Sequence, residues 1–143
     1  MYGDEVKLKT KLGQGKPYLN IAKQITERTL QEFLERFDLQ LQGERVFEVL
    51  SQIILDVCTH IVSNSPIGVP QTYSDCISKL TELGVLPSDQ KRKFISLIKM
   101  RNLIVHQYGT IDYEILYKAL EGIQQDFAYL QNQIIHQFNL ENS

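Results

Sequence analysis

Apolar residues recur at intervals of three and four along most of the chain, the repeat that gathers them on one side of an α-helix. Ile21, Ile25, Leu30, Phe33, Leu34 and Phe37 predict a first helix over about 18–38. Gly43 breaks the pattern, and Val46, Leu50, Ile53, Ile54, Val57 and Ile61 predict a second helix reaching Ser63. On another face of that helix Glu48, Gln52 and Asp56 stand four apart. The stretch SNSPIGVPQ, 63–71, holds two prolines and a glycine and reads as a loop. A short helix over about 72–84 follows, with Gly84 as the residue past its end. LPSDQ, 86–90, is a helix start in which Ser88 or Asp89 can cap free N–H groups, and this fourth helix runs towards His106. Asp112 caps a fifth helix, where Leu116, Leu120, Ile123, Phe127, Leu130 and Ile134 alternate four-three-four-three-four. That seam suits packing inside a bundle or against a second subunit.

Strand signals are almost absent. The expected fold is therefore all-α, an up-and-down bundle of four to five helices, forming one domain over 18–143 after a loose N-terminal arm over 1–17. No uninterrupted apolar run approaches the roughly 18 to 20 residues that span a bilayer, so no membrane partner is expected. The N-terminus lacks the apolar segment of a signal peptide. Cys58 and Cys76, without CxxC spacing, read as reduced and partly buried thiols of a cytoplasmic protein.

The net charge of −2 argues against a general nucleic-acid coat, yet charge is unevenly spread. Six basic residues face two acidic ones over 79–101, whereas 102–143 carries one lysine against five acids. A basic patch on an acidic protein can attract phosphate, and a solvated helix face gives the same pattern. Lys91, Arg92, Lys93 and Lys99 are the candidates for contacts to an RNA backbone.

At the end of the fourth helix stands RNLIVHQY, 101–108. Each helical residue turns about 100°, so Asn102 and His106 share a face, while Arg101 and His106 diverge by about 140°. One straight helix does not aim both at the same atom. Either the helix bends before Gly109, or a second copy of the chain completes the pair; a twofold dimer with this helix near its axis is preferred. Histidine exchanges protons near neutrality, and arginine offers a charged fork to phosphate oxygens. Such a cleft can deprotonate the 2′-OH of RNA and stabilise the crowded phosphorus without a metal. The plainer alternative is that both residues simply complement the negative end of the helix dipole, with Asn102 and His106 hydrogen-bonded to each other.

Other polar residues carry weaker signals. Asp56, Cys58 and His60 resemble a partial metal set, but a zinc site needs more donors at compatible geometry and none lie nearby in sequence, so no metal is expected. Asp56 either orients Arg101 or His106 or has a solvated or helix-capping role. Tyr73 packs near the site or is a structural aromatic. His136 reads as exposed or at an interface, and Cys76 as core.

The run Arg101-Asn102-x-x-x-His106-x-Tyr108 resembles the signature of HEPN-domain ribonuclease toxins, and the tyrosine two places after the histidine is similar to the HepT branch of the HEPN/MNT toxin–antitoxin systems. ERVFEVLSQIILDVCTHIV, PQTYSDCISKL and VHQYGTIDYEILY extend the likeness over roughly 40–125. The resemblance implies a HEPN-like, homodimeric, metal- and cofactor-independent endoribonuclease, the toxin of a type VII system, with RNA (transfer RNA by preference) as substrate. It implies Arg101 and His106 as catalytic residues with Asn102 in support. It also implies a nucleotidyltransferase antitoxin of the MntA type, which silences the toxin by transferring AMP to Tyr108. A non-catalytic helical module that binds a nucleotide or that partner is the alternative, and a metal-dependent nuclease is a third.

Overall fold

The computed structural model describes residues 4–106 and 111–138. These form seven α-helices and one 3-10 turn: α1 (Glu5–Gly13), α2 (Lys16–Glu27), α3 (Leu30–Glu35), α4 (Phe37–Ser63), α5 (Tyr73–Glu82), the turn Ser88–Gln90, α6 (Lys91–His106) and α7 (Tyr113–Gln137). The long helix α4 is the axis of the bundle and touches each of the other six α-helices. Fourteen of its 27 residues are buried, including all six that set its apolar rhythm. By length and composition α4 also suits a bilayer, but here its apolar side is covered by protein.

The seam predicted on α7 is buried throughout, from Leu116 to Ile134. Asp112 caps that helix as expected, its Oδ1 accepting from the N–H groups of Glu114 (3.1 Å) and Ile115 (3.2 Å). Gly84 ends α5 at φ +78°, the left-handed geometry that glycine adopts without strain. At the start of α6, neither Ser88 nor Asp89 caps as expected. Both are absorbed into the 3-10 turn, which has no side-chain cap.

Three further expectations are corrected. The single helix over 18–38 is divided. Thr29 caps α3 by accepting from Glu32 N at 3.1 Å, and the Tyr117 hydroxyl donates to the carbonyls of Thr26 (3.1 Å) and Arg28 (2.5 Å), closing α2. A second break at Arg36 turns α3 into α4, and the buried Gln40 side chain holds that corner by donating to Phe33 O and Leu34 O. Nor does Gly43 interrupt α4. It is buried where a Cβ would lie 3.1 Å from Leu120 and 3.2 Å from Phe33, so it serves close helix contact instead of a chain break. Finally, the expected loose arm over 1–17 contains α1, which buries Leu8 and Leu12. The Asp4 side chain caps α1, its backbone N–H donates to His60 Nε2 at 2.9 Å, and Lys11 meets Asp56 at 3.2 Å. The helix count therefore exceeds the four to five expected, while the all-α class holds.

Candidate active site

Arg101, Asn102 and His106 lie in the C-terminal half of α6, which packs against α4. Arg101 points towards α4, where its Nη2 donates to Gln52 Oε1. Gln52 Nε2 in turn donates to Asp56 Oδ1 at 2.7 Å, and the other oxygen of Asp56 accepts Lys11 Nζ at 3.2 Å. Below the guanidinium lies the Tyr73 ring at the start of α5, 5.6 Å from Cζ to the centroid. Arg101 is thus held from two sides by α4 and α5. Its Nε is enclosed and has no hydrogen-bond partner among the described residues.

Asn102 takes a different direction. With Thr59, Gln71, Thr72 and Tyr73 it lines an open cleft of about 400 Å³ between the 64–72 loop and α6. His106 is exposed at the end of the helix and is turned away from the half-buried Arg101, as the spacing of about 140° predicts. Arg92, Ser96, Lys99, Leu103 and His106 are all exposed and follow one another at intervals of three and four, so they form one outer stripe of α6. Leu103 is 56% exposed in the middle of that stripe. Lys93 is exposed but lines the groove against α7 with Asp126, and Lys91 is half-buried. The four basic candidates therefore do not share one face. Tyr108 lies outside the described residues.

Asp56 reaches Arg101 only through Gln52, which the sequence reading passed over apart from its place in a polar row on α4. That row was the available signal. Tyr73 does sit beside Arg101. His60 is engaged with the start of α1, and Cys58 is buried on the other side of α4. Burial pushes the Cys76 thiol up to about 11 and that of Cys58 well above its usual value, so neither is poised as a nucleophile. His136 is exposed on α7.

Residues 16–136 match the family described as Ribonuclease HepT-like. The chain is 26% identical over 117 residues to the tRNA nuclease HepT of Aphanizomenon flos-aquae (strain 2012/KM1/D3), covering 82% of this chain and 80% of that protein. It is 21% identical over 96 residues to the mRNA nuclease HepT of Shewanella oneidensis, covering 67% and 72% respectively. In fold it matches the tri-AMPylated HEPN toxin of Shewanella oneidensis solved in complex with an MNT antitoxin. There the TM-score is 0.81 at 18% identity, over 92% of this chain and 97% of that one.

Proposed function

Because the chain belongs to the ribonuclease HepT-like family, we propose that it is a toxin endoribonuclease of the cytoplasm, acting as a homodimer and cutting RNA without a metal ion. The observation that carries this reading is the divergence of two residues on one helix. Arg101 is drawn inwards to Gln52 and Tyr73, and His106 faces outwards on the exposed stripe with Leu103. A second copy packed on that stripe buries Leu103 and brings each histidine towards the other chain's arginine. His106 then takes the proton of a ribose 2′-OH. The 2′ oxygen attacks the adjacent phosphorus, the P–O5′ bond breaks, and the leaving 5′ oxygen acquires a proton. Arg101 stabilises the charge that gathers on the phosphoryl oxygens, with Asn102 at the cleft mouth in support. The products are a 2′,3′-cyclic phosphate and a 5′-OH. We assign Arg92 and Lys99, both exposed on α6, to neighbouring phosphates, with Lys91 and Lys93 further along.

The similar Shewanella toxin is AMPylated and bound to an MNT antitoxin. For this chain we place the same control at Tyr108. A cognate nucleotidyltransferase of the MntA type moves AMP from ATP to the tyrosine hydroxyl and releases pyrophosphate. The added bulk and negative charge, two residues beyond His106, compete with the RNA phosphate. Transfer RNA is the preferred substrate, in line with the Aphanizomenon relative.

The decisive experiment mixes two inactive variants. Arg101→Ala and His106→Ala chains, each inert alone, should regain cleavage when co-expressed, because one of the two sites in the mixed dimer has both groups intact. Cleavage should persist in EDTA and yield cyclic phosphate ends. No recovery in a verified mixed dimer would refute the shared site. A wild-type dimer inert on transfer and messenger RNA alike would favour a non-catalytic partner-binding module.

A further inference from the structure

The Arg101–Gln52–Asp56–Lys11 chain joins three helices and ends on a segment outside the residues that match the family, since Lys11 precedes residue 16. Its chemistry has a direction. A guanidinium can only donate hydrogen bonds, and an ionised carboxylate can only accept them. An amide placed between the two satisfies both in one sense alone, with its oxygen towards Arg101 and its nitrogen towards Asp56. Rotating the Gln52 amide by half a turn sets donor against donor at one end and acceptor against acceptor at the other. Asp56 therefore fixes which atom Gln52 offers to Arg101, and Lys11 neutralises and anchors Asp56.

We propose that Gln52 is a positioning residue for Arg101, and that Asp56 with Lys11 of α1 locks the Gln52 amide in the sense that holds the guanidinium by one edge. The proposal rests on the ribonuclease reading above. Arg101 has five N–H donors, and the bond to Gln52 commits one of them while Tyr73 supports the ring-like plane from below. The guanidinium is thereby pre-set before a phosphate arrives, so less orientation remains to be fixed in the transition state. The Lys11 and Asp56 side chains are each 39% exposed, and a pair so open to water adds little to stability. Its contribution is to orientation, which separates it by experiment from a purely structural contact.

The test exploits the donor–acceptor logic. Gln52→Ala should lower kcat by about ten- to a hundredfold, the scale of a misplaced catalytic group, with a smaller change in KM. Asp56→Asn is close to isosteric but can turn a donor towards Gln52, and should lower kcat several-fold. In a Gln52→Glu background the same Asp56→Asn change should raise kcat, because the new carboxylate accepts from Arg101 and now gains a donor at its other side. A structural role has no reason to reverse sign between backgrounds. Equal losses in both backgrounds overturn the proposal. So does a Gln52→Ala variant that cuts at the native rate.

A second readout does not depend on cleavage. The Arg101 side-chain N–H signal, assigned by its disappearance in Arg101→Lys, should exchange slowly with water in the native protein and faster in Gln52→Ala and Asp56→Asn. Unchanged exchange overturns the positioning role. An inert wild type with the expected exchange pattern removes the ribonuclease reading and leaves the relay standing.

Discussion

Gly15 lies directly on the ring of Phe127. A Cβ built on it would overlap Cζ, with two more ring atoms at 3.0 and 3.1 Å. This contact lets the α1–α2 junction approach α7. Gly15→Ala must push the phenyl ring out of a packed core, and the expected cost is about 1–3 kcal/mol. Gly13 is the control, for nothing lies within 4 Å of its Cβ position. Gly13→Ala should leave stability unchanged or raise it by roughly 0.4–1 kcal/mol. Urea unfolding of the two variants side by side measures the difference.

The proposed catalytic pair should separate activity from folding. His106 is exposed, so His106→Ala should change stability by less than about 0.5 kcal/mol. Its cleavage rate should nevertheless fall by about 10²–10⁴-fold, the range of a lost general acid–base. Single-turnover cleavage of labelled RNA, with circular dichroism on the same samples, checks both halves.

Asp126, on α7 against α6, has its carboxyl raised above the ordinary value of 3.8 by desolvation, which the nearby Lys93 only partly offsets. The native state therefore binds this proton more tightly than the unfolded chain does. Ionisation then costs stability, a cost that sets in as pH rises through 3.8 and is complete above the raised native value. Asp126→Asn should unfold at a higher temperature than the native protein at neutral pH, and the gap should close below the unfolded-state value. A gap independent of pH would show that some other property of the side chain is responsible.

Both thiols should be silent while the fold is intact. Cys58 and Cys76 are wholly buried, and burial disfavours their reactive thiolates. A chromogenic disulfide reagent should label neither at neutral pH at an appreciable rate, then both at once when denaturant is added. Labelling without unfolding would reveal an opening motion between α4 and α5.

Much of the framework could be read from residue spacing because a single apolar face dictates it. Leu116 to Ile134 had no other way to satisfy both water and core, and all six are buried. The divergence of Arg101 from His106 likewise follows from the turn per residue. What spacing could not supply was the identity of neighbours. Gly43 reads as a breaker until Phe33 and Leu120 are seen beside it. Val6, Leu8 and Leu12 stand among lysines, too few to establish a period, and only the two leucines find a partner surface on α4. Gln52 and Asp56 belonged to an evident polar row, but the groups at either end of it, Arg101 of α6 on Gln52 and Lys11 of α1 on Asp56, are distant in the chain. The helical class was local information, and the relay was not.

The docking of α1 bears on how this protein should be handled. A fragment cut to begin at residue 16, where the family similarity starts, keeps every residue of the Arg101–His106 segment and discards Leu8 and Leu12. The strip of α4 they had shielded would then meet solvent, inviting such fragments to stick to one another. Any loss of function in them would say as much about a bared greasy strip as about the chemistry left inside.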